Sequence, residues 1–197
     1  MAMLQFLTAL VLASSLLGTA AVSAERTTGA SNHSLFVWAG DRDNKDNDFL
    51  LVIDADPRSP NFGRMITSLK TDQQTVRPHH TEYTMPASGM LFANDNDAGR
   101  SFILDVRNPL RPQVVTSFNE MGCFAHPHSY LRLPNGHVLA TFQHDHATMH
   151  SGSRGKSGGL VEIDDRGNVV RAVSNADPAF ADNLLMPYGL AVLPDMD

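Results

Sequence analysis

Three segments of this chain read alike: Phe49-Leu50-Leu51-Val52-Ile53-Asp54, Ser101-Phe102-Ile103-Leu104-Asp105 and Gly159-Leu160-Val161-Glu162-Ile163-Asp164. Each is a short apolar run closed by Asp, the pattern of a strand that ends in a turn. Turn residues follow at 57–63, 109–112 and 166–167, and a second β-rich piece comes next: Met65-Ile66-Thr67, Val114-Val115-Thr116 and Val169-Val170. Three β-hairpins are therefore expected. Their closing Asp residues stand 51 and 59 residues apart, too far for small solenoid repeats and near the period of four-stranded units.

The missing strands lie ahead of each hairpin. Residues 80–85 and 90–93 precede the second, and 129–133 and 137–142 precede the third, joined there by Pro134-Asn135-Gly136. The first unit shows three strands, led by 35–39, and a further unit starts at 188–193. Four-stranded units at this interval build a β-propeller, so the expected fold is all-β, an incomplete set of about three blades. A β-sandwich with accidental similarity between its strands is the alternative. Each innermost strand opens with Pro and a ring: Pro78-His79, Pro127-His128 and Pro187-Tyr188. Innermost strands surround the channel of a propeller, so His79 and His128 are expected to face one another.

Composition agrees with strands and turns. Of 21 acidic residues 17 are Asp, and only 3 of 15 basic residues are Lys, so the chain is poor in the straight-chain charges that surface helices favour. The formal net charge is −6 and no Lys/Arg run occurs, which leaves no electrostatic footing on a phosphate backbone; nucleic acid is not an expected partner.

Residues 1–24 carry no charged side chain, hold an apolar stretch at 6–17 and end in Val22-Ser23-Ala24. This is the pattern of a signal peptide cut before Glu25, with a buried core helix as the alternative. Residues 25–197 are then the propeller portion, periplasmic or secreted, and no second apolar run in them is long enough to span a membrane. The single cysteine, Cys123, cannot form an internal disulfide, so stability must come from packing.

The 9 histidines are clustered, and neutral imidazole is a favoured ligand of copper and zinc. His79, His80 and His128 are the candidate metal ligands; a polar cluster at a channel mouth is the alternative. Adjacent residues on a strand point to opposite faces, so His79 and His80 can both ligate only where the strand is distorted or has not begun, as Pro78 allows. Glu82 shares the side of His80 and is a candidate to orient its free ring nitrogen, unless it simply faces solvent. His126, before Pro127, is expected to be extended. The loop 143–156, with His144, His146 and His150, is either a second metal site or a mobile connection. Cys123, near Met121, is either a ligand for a soft atom or a small buried apolar group. The acidic run 41–48 lacks the Gly and Glu placements of an EF-hand and reads as a solvated turn. No G-x-S-x-G, P-loop or dinucleotide fingerprint is present.

The segments DFLLVIDADPRSPNFGRMI (48–66), RPHHTEY (77–83), AGRSFILDVRNPLRPQVV (98–115), 128–136 and KSGGLVEID (156–164) resemble the selenium-binding protein family, whose exported bacterial members include methanethiol oxidases. The resemblance implies a seven-bladed propeller and, in the oxidases, a copper site built from histidines. By position those histidines fall on His79, His80 and His128. The implied activity is oxidation of methanethiol with O2 and water to formaldehyde, hydrogen sulfide and hydrogen peroxide. The alternative is a non-catalytic protein that holds selenium, sulfur species or a metal. A Cys-x-x-Cys segment of the family has no counterpart in 81–91, and a further family histidine position holds Leu131.

Overall fold

The computed structural model describes residues 33–43, 45–74, 77–96, 98–146, 157–180 and 183–192; the targeting segment read at 1–24 and His150 lie outside them. Among the described residues the fold is all-β. The strands are β1 (Ser34–Ala39), β2 (Phe49–Asp54), β3 (Met65–Lys70), β4 (Pro78–Thr81), β5 (Met90–Asp95), β6 (Arg100–Asp105), β7 (Gln113–Phe118), β8 (Glu120–Met121), β9 (Phe124–Arg132), β10 (Val138–Asp145), β11 (Ser157–Ile163) and β12 (Val169–Ser174). They form three antiparallel sheets, ordered β1-β2-β3, β4-β5-β6-β7 and β8-β9-β10-β11-β12, so spatial order follows chain order throughout.

The three expected hairpins are β2–β3, β6–β7 and β11–β12. Two boundaries differ from the sequence reading. The first strand of the second sheet runs from Pro78 to Thr81 and not over 80–85, because the chain beyond Glu82 bends toward Pro86, which has no amide proton to give a ladder. The strand expected at 188–193 is absent among the described residues 183–192. That segment is instead held ahead of Tyr188 by Gly158 N–H donating to Leu185 O at 2.9 Å and Leu185 N–H donating to Ser157 Oγ at 3.0 Å.

The second sheet lies between the other two, and this explains its nearly unbroken apolar strands. Alternate residues of a strand face opposite sides. Leu91, Ala93, Phe102 and Leu104 pack with Leu50 and the half-buried Phe36, Trp38 and Leu69 of the first sheet. Phe92 and Ile103 point the other way, into a cluster with Phe124, Tyr130, Val138, Phe142 and Ile163 of the third. Phe92, Phe102 and Phe142 are fully buried.

One ion pair joins the second and third sheets. Arg132 donates to Glu82 Oε1 at 2.9 Å and Oε2 at 2.8 Å, to Met90 O at 2.7 Å and Gly136 O at 2.7 Å, and it also contacts Asp165. Glu82 is buried, and that guanidinium is its ion-pair partner. A second carboxylate, Glu162, is held down at about 2 by hydrogen bonds from His137, then Asn135, and by Arg171.

Arg132→Ala should therefore lower stability by about 3–5 kcal/mol in urea melts, the usual cost of leaving a buried charge alone. The double change Glu82→Gln with Arg132→Met should recover much of that loss. Because Glu162 is more acidic folded than unfolded, its contribution is complete above pH 4.5 and disappears as pH falls toward about 2. Glu162→Gln should remove that part of the acid dependence in melts recorded over the same range.

Candidate metal site

β4, the first strand of its sheet, and β9, which follows the two-residue β8 in its own, each carry a β-bulge just after a proline. On β4, Pro78 faces Asp95 and Thr81 faces Ala93, so three steps on one strand match two on the other. On β9, Pro127 faces Phe142 and Tyr130 faces Ala140, which is the same mismatch at the equivalent place. Proline suits a bulge because it has no amide to contribute there. The extra residue also breaks the alternation of sides. His79 and His80, neighbours in sequence, consequently turn toward one site, with ring centroids 3.9 Å apart.

Both bulges displace an amide from its ladder, and a polar side chain on the facing strand accepts each. His80 N–H donates to Asn94 Oδ1 at 2.7 Å, and Ser129 N–H donates to Thr141 Oγ1 at 3.0 Å. Asn94 Nδ2 in turn donates to Pro127 O at 2.9 Å and His128 O at 3.0 Å. Asn94 and Thr141 are fully buried. Sequence reasoning passed over both; the one available signal was Thr141, a lone polar residue inside the apolar run Val138-Leu139-Ala140-Thr141-Phe142, whereas Asn94 merges with the polar residues that follow Met90-Leu91-Phe92-Ala93.

The expected meeting of histidines from successive units is present. His79 Nε2 lies 3.0 Å from His128 Nε2, and one ring nitrogen from each of His79, His80 and His128 falls within 4.8 Å of the others. His79 is exposed, His80 half-buried and His128 buried. Tyr188, the ring of the third Pro-ring pair, joins them: its ring centroid is 3.7 Å from that of His128 and 6.5 Å from that of His80.

The hydrogen bonds assign the tautomer of His128. Its Nδ1 lies 3.1 Å from the backbone carbonyl of Tyr188 and 3.0 Å from Ser129 Oγ. A carbonyl only accepts, so Nδ1 carries the proton and Nε2 presents its lone pair toward His79. Burial pulls His128 down to about 4, partly opposed by the Tyr188 carbonyl, with the neighbouring His79 and His80 adding to the fall. Burial, then the charge of His79, lowers His80 as well. Both rings are thus held in the neutral form a metal requires.

The donor set fits a metal ion. Metal–imidazole bonds of about 2.0–2.1 Å place two ligand nitrogens roughly 2.9–4.2 Å apart; the His79–His128 separation of 3.0 Å lies in that range, and a pair at the cluster's 4.8 Å bound would have to close by about 0.6 Å or more. His80 Nε2 is buried and has no hydrogen-bond partner among the described residues, a vacancy in its bonding that coordination would satisfy.

Other candidates fare differently. Glu82 does not orient His80, because its carboxylate accepts from Arg132 and from Phe92 N–H at 3.1 Å. His126 is not extended: it lies inside β9 with a φ of 62°, and its N–H donates to Asn119 O, while Gly122 at 57° and Cys123 at 70° make the tight reversal between β8 and β9. In the second histidine group, His146 pairs with Glu120 and the His144 ring lies 5.4 Å from that of His126. Cys123 is exposed rather than buried, on the wall of a cleft of about 420 Å³ shared with Asp145, Asp177 and Phe180. The run 41–48 opens as a turn, with Asp41 accepting from the amides of Lys45 and Asp46.

No family profile matches the chain. It is similar to a methanethiol oxidase of a Hyphomicrobium species, 26% identical over 113 residues that cover 56% of this chain and 25% of that protein. The chain thus spans about a quarter of that relative's length. Among solved structures it is similar to a hypothetical selenium-binding protein from Sulfolobus tokodaii, with a TM-score of 0.50, 14% identity, and coverage of 67% of this chain and 31% of that one. At such identity the superposition speaks for the fold alone. The similarity to the methanethiol oxidase supports the resemblance carried by the sequence motifs, and the superposition supports an all-β fold of that kind.

The depressed titration of His128 has a consequence for stability. The unfolded chain takes up this proton near pH 6.5 and the folded one near pH 4, so the contribution is complete above 6.5 and is lost as pH falls from there to about 4. Thermal melts at pH 7, 5.5 and 4.5 should fall progressively, and the fall should be shallower in His128→Gln.

Proposed function

We propose that this chain is part of an exported, copper-dependent thiol oxidase of the selenium-binding protein and methanethiol oxidase family. Its three sheets are read as successive blades of a β-propeller, residues 1–24 as the signal peptide and 25–197 as the N-terminal portion of the propeller domain. The observation that carries the reading is the convergence of His79, His80 and His128 from two sequence-equivalent, proline-led bulges. The similarity to a methanethiol oxidase supports it independently.

In this reading the three imidazoles hold the ion. Bound copper would supply a one-electron redox centre with affinity for a soft sulfur atom. The chain's own groups do the positioning. The Tyr188 carbonyl keeps the proton of His128 on Nδ1, leaving Nε2 as the donor atom. Exposed His79 marks the side from which a small thiol arrives, and buried His128 the side closed by protein. The net reaction takes methanethiol, O2 and water to formaldehyde, hydrogen sulfide and hydrogen peroxide. The exposed ring of Tyr188 offers an apolar face beside the site for a methyl-sized substrate.

Copper-loaded protein should retain the metal through gel filtration and consume O2 when methanethiol is added. His79→Ala and His128→Ala should each lower retention and O2 uptake at least tenfold, whereas His137→Gln, outside the cluster, should do neither. Absence of bound copper in the unsubstituted protein, or undiminished methanethiol-dependent O2 uptake in His79→Ala, would overturn the reading. Stoichiometric retention of copper or selenite with no O2 consumption would instead favour a binding protein without turnover.

A further inference from the structure

The two bulges are closed in the same way, and the closing groups do more than satisfy amides. Asn94 touches all three sheets at the level of the histidines. Its backbone carbonyl accepts from Trp38 Nε1 at 2.8 Å in the first sheet, its Oδ1 from His80 N–H in the second, and its Nδ2 donates to the carbonyls of Pro127 and His128 in the third. Thr141 holds the equivalent position beside β9. Its Oγ1 accepts from Ser129 N–H and donates to Tyr188 O at 3.1 Å, the same carbonyl that accepts from His128 Nδ1.

From this we infer that Asn94 and Thr141 are positioning residues: Asn94 sets the spacing between the His80 and His128 backbones, and Thr141 holds the carbonyl that selects the His128 tautomer. The inference rests on the metal-site reading above, but its geometry exists without metal. A regular ladder would satisfy the same backbone amides with no buried polar side chain. Two buried polar groups at equivalent positions accompany the distortion that brings the rings together. Groups that orient ligands in this way typically change metal affinity by about 10–100-fold when altered.

The substitutions are chosen to keep volume. Thr141→Val removes the hydroxyl, Thr141→Ser retains it, and Asn94→Asp keeps the acceptor for His80 N–H while removing both donors to the third sheet. In metal-free protein, imidazole proton–nitrogen correlation spectra should show His128 protonated on Nδ1 in the unsubstituted chain and in Thr141→Ser. Thr141→Val should show a mixture of tautomers. With copper, chelator competition should show a 10–100-fold loss of affinity in Thr141→Val and Asn94→Asp, with altered Cu(II) hyperfine splitting, and a change within about twofold in Thr141→Ser.

Unchanged ring-nitrogen shifts in Thr141→Val overturn the inference whatever the metal result, and so do unchanged affinity and hyperfine splitting in both Thr141→Val and Asn94→Asp. If the unsubstituted chain binds no copper while the tautomer shifts as expected, the metal reading fails and the positioning role stands. Should Asn94→Asp lose its fold by circular dichroism, the Thr141→Val and Thr141→Ser pair decides.

Discussion

A strand cannot present two consecutive side chains on one side while its ladder stays regular, and the candidate site of this protein depends on breaking that rule twice. The residue after each of Pro78 and Pro127 starts a bulge, and the bulge turns His79, His80 and His128 toward a common point. The break has a cost, because an amide is pushed off the ladder inside the protein. Asn94 and Thr141 offset that cost with one hydrogen bond each. Cluster, bulges and buried polar residues therefore form one device repeated in two sheets.

The surrounding packing keeps that device in place. The second sheet has an apolar face on each side, so it is clamped by Leu50 and Phe36 from one neighbour and by Phe124, Tyr130 and Phe142 from the other. The pair Glu82–Arg132 joins the second and third sheets. Burial then acts on the chemistry: it depresses the titration of His128 and keeps its ring neutral, while the Tyr188 carbonyl directs the remaining lone pair at the cluster.

Much of this was legible before any coordinates. Apolar runs closed by Asp marked the three hairpins, and the Pro-ring pairs marked the positions that converge. The pairing of Glu82 with Arg132 was not legible, since period-two reasoning assigns Glu82 to the side of His80 and the bulge cancels that assignment. His126 was misread for a related reason. A following proline favours extended backbone, but His126 stands inside β9 with a φ of 62° and turns its N–H to Asn119 O. Cys123 lies in the reversal between β8 and β9, which lifts it out to the surface.

By itself the sequence determined most of the elements: the three hairpins, that the strands repeat, and which rings follow Pro78 and Pro127. Those are local properties of apolar alternation and of Pro, Gly and Asp chemistry, acting over a few residues. Only the tertiary structure decided which polar side chain answers each displaced amide, which tautomer His128 adopts, and that a tyrosine from a segment without ladder pairing completes the cluster. These depend on partners from 12 to 60 residues away, and no local pattern encodes contacts formed when separate sheets close on a shared core.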